Sequence, residues 1–118
     1  MKRILIIEDE QDIVDIATLI LEDEGYEVSS LSDFGNFKDQ VQGSHADLVL
    51  LDLNLQGYHG RDICKYIKSN QELKQTSVVL MSANRDIQAI KEEAGADGFI
   101  SKPFDLRDFI STVKLHLA

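Results

Sequence analysis

Three unbroken apolar runs constrain the fold of this chain more than any other feature: Ile4-Leu5-Ile6-Ile7, Leu48-Val49-Leu50-Leu51 and Val78-Val79-Leu80-Met81. A strand with one wet face alternates apolar and polar residues. A short continuous run suits a strand covered on both faces, as in a parallel sheet flanked by helices. Each run ends abruptly on polar residues: Glu8 and Asp9, Asp52, and Ser82. Val28-Ser29-Ser30-Leu31 and Gly98-Phe99-Ile100 are shorter or more polar, as edge strands tend to be.

Amphipathic stripes fill the intervals. Ile13, Ile16, Ala17, Ile20 and Leu21 recur at helical spacing, and Gly25 stops them. Phe34, Phe37 and Val41 make a second stripe, and Ile63, Tyr66 and Ile67 a third. Ile87, Ile90 and Ala94, closed by Gly95, make a fourth. The fifth holds Leu106, Phe109, Ile110, Val113 and Leu117, with Asp105 and Asp108 spaced as an N-cap and its partner. Strand and helix thus alternate five times. This predicts an α/β fold, a (βα)5 three-layer sandwich around a parallel sheet. Polar edges at the second and fifth strands suit the flavodoxin-like order 2-1-3-4-5. Sites in such sheets form at the C-terminal ends of strands 1 and 3, where the order reverses.

A length of 118 residues predicts one domain over 1–118, with no output domain in this chain. The net charge is −9, and 12 Lys and Arg are scattered without a cluster. Direct binding to nucleic acid or an anionic membrane is therefore not expected, since both need a positive stripe. No apolar run nears the ~18 residues of a membrane span. Met1-Lys2-Arg3-Ile4 runs straight into a strand-like segment without a long apolar region or small-residue cleavage site, so a secretory signal is not expected there. The single cysteine, Cys64, fits a reducing cytoplasm and reads as a small core filler on a helix. His45, His59 and His116 lack metal-ligand spacing and read as surface residues.

Four polar features fall past the ends of four strands: Glu8 and Asp9, Asp52, Ser82, and Lys102 beside Pro103, the only proline. Parallel neighbours end on one rim, so these groups are expected to converge. Three carboxylates would carry about −3 together, which raises their pKa values and costs stability. Lys102 and a divalent cation balance them, and oxygen-only ligands suit Mg²⁺ or Mn²⁺. Such a site can seat a phosphoryl group. Asp52 would be the carboxylate nucleophile, with Asp9 and Asp52 on the metal. Lys102 would pair with a phosphoryl oxygen and Ser82 would donate a hydrogen bond. Glu8 would act through a metal-bound water. Taken singly, each residue is more simply a solvated loop residue, a helix cap or a surface lysine. Their conjunction on one rim favours the chemistry.

These residues resemble the receiver domains of bacterial two-component response regulators. The segments are Ile4 to Glu10, Leu48 to Leu55, Val79 to Ala83 and Gly95 to Phe104, and the resemblance spans essentially the whole chain. It implies that Asp52 is the phosphorylated aspartate and Asp9 the direct metal ligand. It also implies a metal contact from the Asn54 backbone carbonyl and a phosphoryl contact from the Ala83 backbone. By the same resemblance Ser82 and Phe99 are the switch pair and Lys102 is the phosphoryl-binding lysine. The Lys102–Pro103 bond is expected to be cis. Asn54 and Asn84 are expected to tune hydrolysis of the phosphoryl group. The implied donor is a histidine kinase or phosphotransfer protein. The implied listener is a downstream protein or output domain that reads the surface of helix 4, strand 5 and helix 5. A homodimer through that surface is compatible with the sequence.

The chain departs from the family pattern in two places. Glu8 stands where Asp is commoner, and Gln56 stands where proline is frequent, which is expected to loosen the loop beside Asp52. Two other functions compete. A receiver-like docking module that is never phosphorylated usually loses the acceptor, lysine or acidic pair, and all are kept here. An aspartyl-phosphate phosphatase carries its nucleophile after strand 1 rather than strand 3. The expected protein is thus a phosphoacceptor switch and not an enzyme with turnover. Phe99 has a simpler reading as a half-buried aromatic on an edge strand.

Overall fold

The three apolar runs become the centre of a five-stranded parallel sheet in a computed structural model that describes residues 1–31 and 33–117. β1 (Arg3–Ile7), β3 (Leu48–Asp52) and β4 (Ser77–Ser82) lie inside, with β2 (Glu27–Ser30) and β5 (Gly98–Ser101) at the edges. The order is β2-β1-β3-β4-β5, as expected. Register aligns Ile7 with Leu51, Asp52 with Met81 and Ser82 with Ser101, so the C-terminal ends of the strands meet on one rim.

The helices are α1 (Gln11–Asp23), α2 (Phe37–Ser44), α3 (Gly60–Ser69), α4 (Ile87–Ala94) and α5 (Leu106–Leu117). Strand side chains alternate between faces, so each central strand feeds two cores. Leu5, Ile7, Val49, Leu51, Val78 and Leu80 pack with Val41, Ile63, Cys64, Ile67, Ile87 and Ile90 from α2, α3 and α4. Ile4, Ile6, Leu48, Leu50, Val79 and Met81 pack with Val14, Ala17, Leu21, Phe109 and Val113 from α1 and α5. Each fully buried Leu or Ile contributes about 2 kcal/mol of transfer free energy, which makes the two cores the main source of stability.

Local signals act where they were expected to. Gly25 and Gly95 take positive φ at the ends of α1 and α4, where a left-handed residue ends a helix without Cβ strain. The Asp105 carboxylate accepts the Asp108 amide at 2.7 Å and starts α5. Cys64 is buried, and burial pushes its thiol up to about 11.

Three details differ from the sequence reading. In α1 the buried stripe is Val14, Ala17 and Leu21, whereas Ile16 is 57% exposed. In α5, Leu106 is 56% exposed. The Phe34 stripe is broken by a separate 3-10 turn at Phe34–Asn36 ahead of α2. Among the described residues no helix is long and apolar enough to cross a membrane.

Candidate functional site

The rim gathers Glu8 and Asp9 after β1, Asp52 at the end of β3, Ser82 at the end of β4 and Lys102 after β5. Main-chain bonds fix this convergence. The Leu53 amide donates to the Met81 carbonyl at 3.1 Å, and the Lys102 amide donates to the Ser82 carbonyl at 2.9 Å. The Lys102–Pro103 peptide is cis.

Glu8, Asp9 and Asp52 each offer a carboxylate oxygen, and these atoms lie within 4.8 Å of one another. Glu8 is buried at 4% exposure and Asp52 at 5%, whereas Asp9 is exposed. The Lys102 ammonium stands 2.9 Å from Glu8 Oε2 and 3.5 Å from Asp52 Oδ1. The Glu10 amide donates to the other Glu8 oxygen at 3.2 Å. The Asn54 amide approaches Asp52 Oδ1 at 3.4 Å.

Two of the three carboxylates, Glu8 and Asp52, therefore share one ammonium. Burial, followed by the charge of Glu8, raises the Asp52 carboxyl from its ordinary 3.8 to about 6 against the opposing pull of Lys102. Burial alone would lower the Lys102 ammonium, but its bonds to Glu8 and Asp52 overcome that and raise it. The rim thus holds negative charge that its own residues do not neutralise.

The remaining predicted residues surround this centre at different depths. Ser82 is buried, and its hydroxyl oxygen accepts the Asn84 amide at 3.0 Å. Asn84 Oδ1 in turn accepts the Asp86 amide at 2.8 Å, so the exposed loop from Ala83 to Asp86 is held by short local bonds ahead of α4. Ser82 and Asn84 line a cavity of about 380 Å³ with Asn54, His59, Arg61 and Asp62. Phe99 is half-buried, aligned with Leu80, and packs against the core beneath α4.

Two positioning features escaped the sequence reading. Asn54–Leu55 and Tyr58–His59 pair as a small antiparallel ribbon after Asp52. Gln56, expected to loosen the loop, gives its amide to Asp9 Oδ2 at 2.8 Å, a bond between the loop and the rim. A proline at 56 would have no N–H to give. Gly60 is the other. A Cβ there would collide with the Asp52 carbonyl and stand 2.8 Å from Leu53 Cα. Its amide donates to the Leu53 carbonyl at 3.1 Å, so α3 begins hard against the end of β3. The only sequence signal was a glycine at the start of a helical stripe.

Known proteins share this fold. The chain is 32% identical over 114 residues to the sensory transduction protein RegX3 of Mycolicibacterium smegmatis, covering 97% of this chain and 50% of that protein. It therefore spans about half the length of that curated relative. A response regulator receiver domain protein from Methanospirillum hungatei superposes with a TM-score of 0.88 at 28% identity, over 99% of this chain and 94% of that one. The chemotaxis response regulator CheY4 of Vibrio cholerae gives 0.90 at 23% identity, over 99% of each chain, a likeness of fold alone. The response regulator receiver domain family matches residues 4–114, and this chain belongs to it.

Proposed function

We propose that this chain is a phosphoacceptor switch of a two-component relay and that Asp52 takes the phosphoryl group. The observation that carries the reading is the buried Asp52 carboxylate, 3.5 Å from the Lys102 ammonium and clustered with Glu8 and Asp9. Nucleophile, counter-charge and acidic cluster share one rim.

An Asp52 oxygen attacks the phosphorus of a phosphohistidine on a histidine kinase or phosphotransfer protein. The P–N bond breaks and an acyl phosphate forms. The all-oxygen donor set of Asp9, Asp52 and the Asn54 carbonyl, with Glu8 acting through water, fits Mg²⁺ or Mn²⁺. When bound, the cation neutralises charge on the phosphoryl oxygens. Lys102 moves from its carboxylate partners to a phosphoryl oxygen, exchanging one charge-assisted bond for another. The Ala83 amide and Ser82 hydroxyl donate to the remaining oxygens. Moving Ser82 frees room for Phe99 and reshapes the surface of α4, β5 and α5, which a downstream protein, an output domain or a second copy reads. Asn54 and Asn84 border the cavity through which water reaches the acyl phosphate, and so tune its lifetime. The unit is a cytoplasmic switch that assists only its own phosphorylation and hydrolysis.

Incubation with Mg²⁺ and acetyl phosphate should add one phosphoryl group by mass, and beryllofluoride should shift the amide signals of Ser82 to Ala83 and of β5. Asp52→Asn should abolish both. No adduct on the wild type, or an adduct that persists in Asp52→Asn, removes the reading.

A further inference from the structure

Among the described residues, one hydrogen bond reaches the Asp9 side chain, and it comes from the Gln56 main chain at 2.8 Å. Asp9 is exposed, so its carboxylate would otherwise sample several rotamers. Glu8 and Asp52 are held by burial and by Lys102. Asp9 has neither support and depends on the turn that follows Asp52. We propose that the Gln56 amide is a positioning donor that orients Asp9 for the metal and couples the 54–59 ribbon to metal occupancy. The inference rests on the metal reading above and names a residue that the reading does not use.

The turn is built to present this amide. Leu55 pairs with Tyr58, leaving Gln56 and Gly57 as its two central residues. Gly57 has φ +80, and Gln56 is not among the positive-φ residues. A negative φ followed by a positive one is the pattern of a type II turn, whose first central position accepts proline readily. The preceding Leu55 is extended, as a residue before proline prefers. Gln56→Pro therefore deletes the N–H and leaves the turn in place. Gln56→Ala keeps the N–H and removes the side chain.

Both variants and the wild type should be titrated with MgCl₂ alone, following amide shifts by NMR. Gln56→Pro should weaken binding about tenfold, in the range lost when a metal ligand loses its supporting partner. Gln56→Ala should bind like the wild type. In chelator, Asp9→Asn should move the Gln56 amide proton upfield, a readout that needs no metal and no proline variant. Equal Mg²⁺ affinity in Gln56→Pro and wild type, or a static Gln56 amide in Asp9→Asn, overturns the positioning role while leaving the metal site intact. Equal weakening in Gln56→Ala assigns the effect to the side chain and also overturns it. A wild type with no saturable response overturns the metal reading itself.

Discussion

Asp52 is held in a state that costs the fold stability. Its carboxyl is raised to about 6 by burial and by Glu8, so the folded chain holds that proton more tightly than the unfolded chain does. Between about pH 4 and 6 the folded state binds more protons at this group. Its contribution to stability is therefore intact below pH ~4, falls as pH rises through 6, and stays lost at pH 7. In chelator, NMR titration of the Asp52 side chain should give a midpoint near 6, well above an ordinary aspartate. Asp52→Asn, which keeps the shape and removes the charge, should stabilise the chelated protein by about 1–3 kcal/mol at pH 7 in urea. The gain should shrink at pH 4.5. An Asp52→Asn protein less stable than wild type at pH 7 would mean that the pairing with Lys102 outweighs burial and Glu8.

At the scale of elements, two glycines on helices separate propensity from packing. Glycine inside a helix costs about 0.5–1 kcal/mol relative to alanine. A Cβ on Gly43, in the last turn of α2, meets nothing within 4 Å, so Gly43→Ala should stabilise by about 0.5 kcal/mol. A Cβ on Gly60 meets the backbone of Asp52 and Leu53, which cannot swing away as a side-chain tip can. Gly60→Ala should lose about 1–3 kcal/mol in urea despite its better propensity, and phosphorylate more slowly because Asp52 must shift. The same contrast explains what the sequence left illegible. Strand runs and helix stops were readable because they depend on local periodicity and on φ. The Asn54–His59 ribbon was not, because six residues give too short a period. Ile16 and Leu106 were assigned to the core on spacing, yet α1 turns Val14 inward instead of Ile16, and Leu106 stays outside a stripe whose Phe109 and Val113 are buried as expected. His116 read as a surface residue, but its ring lies where a Cβ on Gly98 would go, a contact between the ends of two elements that no pattern announces.

The whole molecule joins residues far apart in sequence at a single rim, and that placement was legible. Parallel strands in register must end together, so acids after β1 and β3 and a lysine after β5 had to meet once the order was known. The bonds made there could not be read, since Glu8 to Lys102 and Gln56 to Asp9 depend on loop conformation. The rim concentrates charge in a chain that already carries −9 overall. Any cation that binds the folded rim and not the unfolded chain raises stability by mass action. At a Mg²⁺ concentration of about ten times the dissociation constant the gain is about 1.4 kcal/mol, or roughly 5 °C in Tm for a chain of this length. Salt also relieves the general repulsion of an acidic protein, so the control is NaCl at the same ionic strength. Thermal unfolding should show a rise with MgCl₂ well beyond that with NaCl. In Asp52→Asn the starting Tm should be higher and the Mg²⁺ increment smaller, because the mutation removes both a carboxylate of the proposed site and the repulsion that a cation there would relieve. If NaCl reproduces the whole Mg²⁺ effect in the wild type, the stabilisation belongs to net charge, and the rim does not select a divalent ion.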